Sequence, residues 1–326
     1  MKMLKLSNFL QAKLNIFLYT ILGWRLIRFY MCILCKFYFF IKKDERISIK
    51  NSIHNVIGWV KKKKELSKIT KKVFFGIFSH YYEKIYIALE NKKNVSEFLE
   101  QNVLSEDISI IKKALLKGKG VLLITGHYGA VEYLPILLAV KDIDISIIAK
   151  YKTPQLKKKA LEQAANFNAR MIDGDNKGGV LKMAINELRQ NRVVITQCDE
   201  ISEWRVSEKK KTTFLGKVTG LDRTINLICK RSGAEVVFGI MHRFNLNHYK
   251  LVAYSHDQML NMIRYSSSAT TGEIVLKVLE QLIYKYPEQW YEWKKYPIIG
   301  NTFIPGIEEV KPVSAPNLQP AFNISI

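Results

Sequence analysis

From about Asp107 onward, short apolar runs of strand length alternate with helix-length segments, and no other feature limits the possible folds of this chain as much. Gly120–Thr125 (GVLLIT) is apolar, flanked by turn residues and too short for a helix, so it reads as a buried strand. Val131–Val140 follows as a helix, Asp144–Ala149 as a strand, Pro154–Asn166 and Gly179–Gln190 as helices, and Val193–Thr196 as a strand. Further on, Thr224–Ser232 reads as a helix stopped by Gly233, Glu235–Met241 and Tyr249–Tyr254 as strands, and Thr271–Tyr286 as a closing helix. This order predicts an α/β fold, a mostly parallel sheet flanked by helices. Sites in such sheets lie beyond the carboxyl ends of the strands.

Four stretches follow from this reading: a membrane-anchoring helix region at 1–43, a helical segment at 44–112, the α/β domain at 113–300 and an irregular tail at 301–326. The tail holds four of the chain's eight prolines. Residues 1–43 carry eight cations and no acid, with aromatic and aliphatic residues between them. They contain no uncharged apolar stretch of about 18 residues, as a clean spanning helix requires, and no small-residue cleavage site of a signal peptide follows. On a helical wheel Arg28 and Lys36 fall within about 60° and 20° of Arg25, and the rest of the circumference is apolar and aromatic. This is the build of a helix lying in a membrane interface, rings in the acyl boundary and cations towards phosphate. A helix packed on the protein's own core and a tilted spanning helix are the alternatives.

The chain carries 51 Lys+Arg against 29 Asp+Glu, a net charge of +22, which draws it towards polyanions: nucleic acid, anionic lipid or an acidic carrier protein. The runs Lys61–Lys64, Lys157–Lys159 and Lys209–Lys211 add to this field, each readable as a solvated face. Hydrophobic residues at 48% exclude a disordered chain, and four cysteines are too few for a disulfide scaffold of this size. Cys32 and Cys35 form a C-x-x-C without a second pair, so they read as small apolar residues and not zinc ligands. The remaining histidines have no ligand-like spacing, and no metal site is expected.

The chemistry lies where the first strand ends, at Gly126-His127-Tyr128-Gly129-Ala130-Val131-Glu132. A histidine there, between glycines that let the backbone turn, stands above the sheet rim. In one continuous helix His127 and Glu132 would lie about 140° apart. With His127 in the turn and Glu132 in the first helical turn, the carboxylate reaches the imidazole, fixes its tautomer and supports it as a general base.

Gly118–Glu132 as a whole resembles the H-x4-D/E motif of the bacterial late acyltransferases of lipid A biosynthesis, the lauroyl/myristoyl-transferase branch of the lysophospholipid acyltransferase superfamily. Further similarities follow in order: Thr196–Glu200 (TQCDE), Phe214–Gly216 with Thr219 and Gly220, Arg231–Val237 (RSGAEVV), and Pro287–Trp290 (PEQW) with Trp293. The family's Arg after the second strand is Lys150 here, and its Asp-x-Asp is reduced to Asp199 and Glu200. Lysine keeps the charge but loses the planar fork that clamps phosphate.

The resemblance implies a glycerol-3-phosphate acyltransferase-like fold with a membrane-associated N-terminal helix, at the cytoplasmic face of the bacterial inner membrane. It implies transfer of a fatty acyl chain from an acyl carrier protein or coenzyme A thioester to a hydroxyl of a lipid A-like or lysophospholipid acceptor. No cofactor is needed beyond the acyl-ACP or acyl-CoA co-substrate. His127 and Glu132 are the expected catalytic pair, and Lys150, Asp199, Arg223 and Gly126 the expected substrate-binding residues. The partners expected are the lipid acceptor, the carrier or coenzyme A thioester and an anionic membrane surface. Two other readings stand beside this one: a catalytically silent lipid-binding protein of the same fold, and a basic nucleic-acid-binding protein, for which no recognition motif organises the charge.

Overall fold

A computed structural model of the chain describes residues 5–59, 61–150, 154–176, 179–203, 206–263 and 269–299. The proline-rich tail expected at 301–326 lies outside the described residues, as do Lys2 and the side chains of Lys209 and Lys210.

Among the described residues six helices precede the sheet: α1 (Leu6–Leu10), α2 (Lys13–Ile21), α3 (Trp24–Ile41), α4 (Lys43–Ile57), α5 (Lys63–Leu89) and α6 (Lys92–Asn102). Then come β1 (Val103–Leu104), α7 (Ile108–Leu115), β2 (Val121–Thr125), α8 (Tyr133–Val140), β3 (Ile145–Ala149), α9 (Pro154–Asn166), β4 (Arg170–Asp173), α10 (Val180–Arg189) and β5 (Val193–Gln197). The chain continues through β6 (Val206–Phe214), β7 (Lys217–Asp222), α11 (Thr224–Ser232), β8 (Glu235–Arg243), β9 (Tyr249–Ser255), α12 (His256–Ile263) and α13 (Thr271–Lys285). Short 3-10 turns at Pro287–Gln289 and Trp293–Ile298 close the described chain.

Seven strands form the sheet in the order β1-β9-β8-β2-β5-β3-β4, parallel throughout except for the β8–β9 hairpin. The mostly parallel sheet flanked by helices is therefore present. Residues of β2 are buried along the whole strand, as a strand covered by helices on both faces must be. The β6–β7 hairpin forms a separate two-stranded sheet, and the run Lys209–Lys211 falls on β6. Gly233 ends α11 with φ 67°, a left-handed cap that an L side chain adopts with difficulty.

The N-terminal region differs from a single anchoring helix. It breaks at Gln11–Ala12 and Leu22–Gly23 into three helices, and one side of them is built into the protein. Leu6, Leu10, Tyr19, Ile27 and Met31 belong to the same buried cluster as Leu122, Ile124, Val194 and Phe238 of the sheet. Trp24 meets Tyr82 and Tyr86 of α5 edge-on, and the Arg28 guanidinium lies over the Tyr82 ring at 4.7 Å. Arg28 thus turns to the protein, away from the stripe it was expected to share with Arg25 and Lys36. No helix among the described residues is long and apolar enough to cross a membrane.

One buried ion pair ties this helical layer to the sheet. Glu83 of α5 receives two hydrogen bonds from Arg243 at the end of β8, at 2.7 and 2.6 Å, and Arg243 Nη2 also donates to the Gly129 carbonyl at 2.7 Å. Both side chains are almost fully buried. Removing one member of such a pair leaves the other charge uncompensated away from water. Arg243→Met is expected to cost about 3–5 kcal/mol of stability by chemical denaturation. The double variant with Glu83→Leu recovers most of that loss, because the orphaned carboxylate goes with its partner.

Candidate active site

β2 and β5 run parallel in a register that pairs Thr125 with Gln197. His127 and Asp199 each lie two residues beyond that pair, so they emerge side by side above the rim. Three hydrogen bonds fix the consequence. The His127 backbone N–H donates to both Asp199 oxygens at 3.1 and 3.0 Å, and ring Nδ1 lies 2.9 Å from Oδ1. Trp290 Nε1 donates to Oδ2 at 2.8 Å. Asp199 itself has no exposed surface.

The loop that carries His127 is held by the chain's last described segment. Tyr128 N–H donates back to the Gly126 carbonyl at 2.7 Å, which makes the tight turn. Gly129 N–H donates to the Gln289 carbonyl, Ala130 N–H to the Met241 carbonyl, and Tyr291 N–H to the His127 carbonyl, at 2.8, 2.9 and 3.2 Å. Gly129 has φ 58°, and a Cβ there would stand 1.9 Å from the Met241 carbonyl oxygen, so no other residue fits without moving β8. Gly126 is packed under the Leu279 side chain of α13, where a Cβ would approach to 2.6 Å.

Around the imidazole the charges alternate. Nε2 of His127 is 3.3 Å from Glu200 Oε2, and Glu200 Oε1 accepts from Lys295 Nζ at 2.8 Å. Lys295 also lies 3.4 Å from Glu292. Burial by itself would push the His127 pKa down. The Asp199 charge and hydrogen bond, joined by Glu200, override it and hold the ring up at about 10. Burial would likewise raise the carboxyls of Asp199 and Glu200; His127 lowers both, Trp290 adds to the effect on Asp199, and Lys295 adds to that on Glu200.

Glu132 is not the carboxylate on the ring. It stands at the N-terminal boundary of α8 without a capping hydrogen bond and turns to α5, where Oε1 accepts from Lys84 Nζ at 3.2 Å and stands 3.8 Å from His80 Nδ1. It makes no ion pair with His127. The physical reason is the register of β2 and β5, which puts Asp199 on Nδ1 before Glu132 could reach it. His80 stacks on Tyr291 with ring centres 3.8 Å apart, and Tyr291 meets His127 edge-on at 5.5 Å. The Glu132 cluster therefore backs the site through an aromatic pair.

The other expected residues are spread more widely. Lys150 follows β3 on the same rim, with β5 between it and β2, and pairs with Asp175 at 3.1 Å. Arg223 is exposed at the N-terminal cap of α11, after the separate β6–β7 hairpin. Neither joins the His127 group. Trp290, Tyr291, Lys295 and His80 do, and the sequence reading missed their roles. One signal was available, a tryptophan in the PEQW block whose indole N–H needs a buried acceptor. Cys198 is buried, and burial beside Asp199 pushes its thiol well up, away from nucleophilic thiolate. Among the described residues no group of three or more His, Cys, Asp or Glu side chains is placed to hold a metal ion.

With Nδ1 committed to the buried Asp199, Nε2 is the ring nitrogen that faces the partly exposed Glu200. Two measurements check this arrangement. NMR titration of His127 should show its midpoint falling in Asp199→Asn and unmoved in Glu132→Gln. The raised pKa also stabilises the fold: the contribution is complete below the free imidazole value of about 6.5 and is lost as pH rises through about 10. The denaturation midpoint should therefore fall between those limits in the wild type, and fall less in His127→Gln.

No curated protein matches the chain. A family model described as bacterial lipid A biosynthesis acyltransferase matches residues 3–295, a span that includes the N-terminal helices, the His127 loop and the PEQW segment. Membership implies an acyltransferase whose acceptor is a lipid. A strand-end histidine charged against a buried aspartate, on a mostly parallel α/β sheet, sits within that match, and the chain belongs to the bacterial lipid A biosynthesis acyltransferase family.

Proposed function

We propose that this protein transfers a fatty acyl chain from an acyl carrier protein or coenzyme A thioester to a hydroxyl of a lipid A-like or lysophospholipid acceptor, at the cytoplasmic face of a bacterial inner membrane. The observation that carries the proposal is the His127–Asp199 pair, with Nδ1 anchored at 2.9 Å and Nε2 turned to the partly exposed Glu200. In the neutral form of the ring, Nε2 takes the proton of the acceptor hydroxyl as its oxygen attacks the thioester carbonyl carbon. The C–S bond then breaks, the thiolate leaves, and the proton on Nε2 passes to that sulfur. An ester and a free thiol are the products, and no acyl-enzyme is formed. Proton transfer of this kind contributes about 10²–10⁴ in rate. A silent lipid binder of the same fold would have no use for an imidazole anchored at a strand end by a buried carboxylate.

The N-terminal helices support membrane contact of the interfacial kind. Leu14, Phe17 and Ile21 of α2, with Leu26, Phe29, Ile33, Phe37 and Phe40 of α3, are each 48–68% exposed. The α3 residues recur every three or four positions and so form one outward stripe, separate from the buried stripe of Ile27, Met31, Cys35 and Tyr38. Lys13, Arg25 and Lys36 are exposed on the same helices. Rings in the acyl boundary with cations at the phosphates is the arrangement of a helix lying on a bilayer. Lys150 and Arg223 remain proposed contacts for acceptor phosphate.

His127→Gln, whose amide can still donate to Asp199, is expected to lose at least about 10²-fold in acyl transfer while its circular dichroism and vesicle binding stay unchanged. Turnover near the wild-type rate would overturn the mechanism. Deleting the N-terminal helices would strip the core, so membrane contact is tested by Phe29→Ser with Phe37→Ser and Phe40→Ser. This triple variant should stay folded yet sediment less with anionic vesicles, and unchanged sedimentation would refute the interfacial face.

A further inference from the structure

We propose that Glu200 is a latch on the general base: it holds Nε2 of His127 before the acceptor arrives, and is drawn off towards Lys295 and Ser202 when the acceptor hydroxyl takes its place. The proposal rests on the acyl-transfer reading for its consequence, though the latch itself is a property of the ion-pair chain.

The two Glu200 oxygens are divided between two tasks. Oε2 faces Nε2 at 3.3 Å, while Oε1 accepts from Lys295 Nζ at 2.8 Å and from Ser202 Oγ at 3.1 Å. The shorter contacts are on the side away from the imidazole. Asp199 and Glu200 are neighbours in sequence but opposite in freedom: the Asp199 side chain has no exposed surface, whereas that of Glu200 is 35% exposed. One carboxylate is fixed by three donor groups and cannot leave. The other is partly exposed and already has one oxygen on a cation, Lys295.

A latch of this kind has a chemical consequence. Nδ1 is committed to Asp199, so catalysis depends on Nε2, and a nitrogen that carries a proton towards a carboxylate cannot accept another. When Glu200 swings to Lys295, the opposing charge at Nε2 weakens and a larger fraction of the rings gives the Nε2 proton up to solvent. The neutral imidazole then takes the hydroxyl proton and later returns it to the departing sulfur, so each turnover conserves protons. Before the acceptor binds, the base is occupied and water at the rim is not activated against the thioester. Glu200 is thus a positioning residue acting through His127.

The charged and titratable groups around the ring come from three directions. Asp199 and Glu200 follow β5, Tyr291, Glu292 and Lys295 follow α13, and His80 faces it from α5 across Tyr291. Of these, Glu200 alone contacts Nε2 among the described residues. A change there alters the ring's proton affinity without touching the Nδ1 anchor.

The test uses the full-length protein in detergent micelles and compares wild type with Glu200→Gln, with Glu200→Ser as a second variant. His127 is titrated by NMR of its labelled ring nitrogens, and kcat/KM is followed against pH with an acyl carrier protein thioester and a lysophospholipid. In both variants the His127 midpoint should fall by at least about one pH unit. The acidic limb of kcat/KM should move with it, giving about a tenfold gain near neutral pH, since a unit shift changes the neutral fraction tenfold. A midpoint unmoved in both folded variants overturns the latch. So does a rate that falls while the acidic limb stays in place, since Glu200 would then hold substrate. A shifted midpoint with no turnover on any lipid hydroxyl supports the latch and sinks the acyl-transfer reading instead.

Discussion

A carboxylate with no access to water must be surrounded by donors or lose its charge, and Asp199 draws the site together for that reason. Its partners come from two distant segments: the backbone and ring of His127 after β2, and the indole of Trp290 after α13. None of these groups could leave without orphaning a buried charge, a loss far larger than one ordinary hydrogen bond. The Glu83–Arg243 pair does the same one layer away, through the bond from Arg243 to the Gly129 carbonyl. Two buried charges thus pin the His127 loop from either end, and the site is preorganised before any substrate enters.

The parts of this arrangement legible in the sequence were local. The strand at Gly120–Thr125, the helices at Pro154–Asn166 and Thr224–Ser232, and the histidine at a strand end all follow from periodicity and turn residues within one window. The identity of the carboxylate on that histidine was not local. Glu132 is five residues away in the chain and Asp199 seventy-two, yet Asp199 is adjacent because β2 and β5 pair Thr125 with Gln197. Register between strands so far apart depends on the packing of the whole sheet and leaves no mark within either strand. The short strand at Arg170–Asp173 escaped for a related reason: a half-exposed edge strand of four residues lacks the apolar run that marked β2.

The N-terminal helices show how one amphipathic pattern can serve two solvents. A wheel drawn on α3 separates cations from apolar residues, but it cannot separate the apolar residues that meet protein from those that meet something else. In the structure that arc divides, one stripe against α5 and another outward. Leaving so many large apolar side chains in water would be unfavourable by about 25 cal/mol for each Å² of apolar surface. The proposed membrane contact would remove this surface from water.

The division also links the outer surface to the chemistry. α3 packs on α5, and α5 carries His80, Glu83 and Lys84, whose contacts reach Tyr291, Arg243 and Glu132. The outward stripe of α3 is therefore one packed helix away from the aromatic ring that meets His127 edge-on and the ion pair that holds Gly129. Close-packed interiors transmit such displacements because no void absorbs them. In this architecture the helical layer with the outward apolar stripe is a wall of the same core that positions His127, so under the proposed membrane contact attachment and site geometry would be bound by packing and not by a flexible tether.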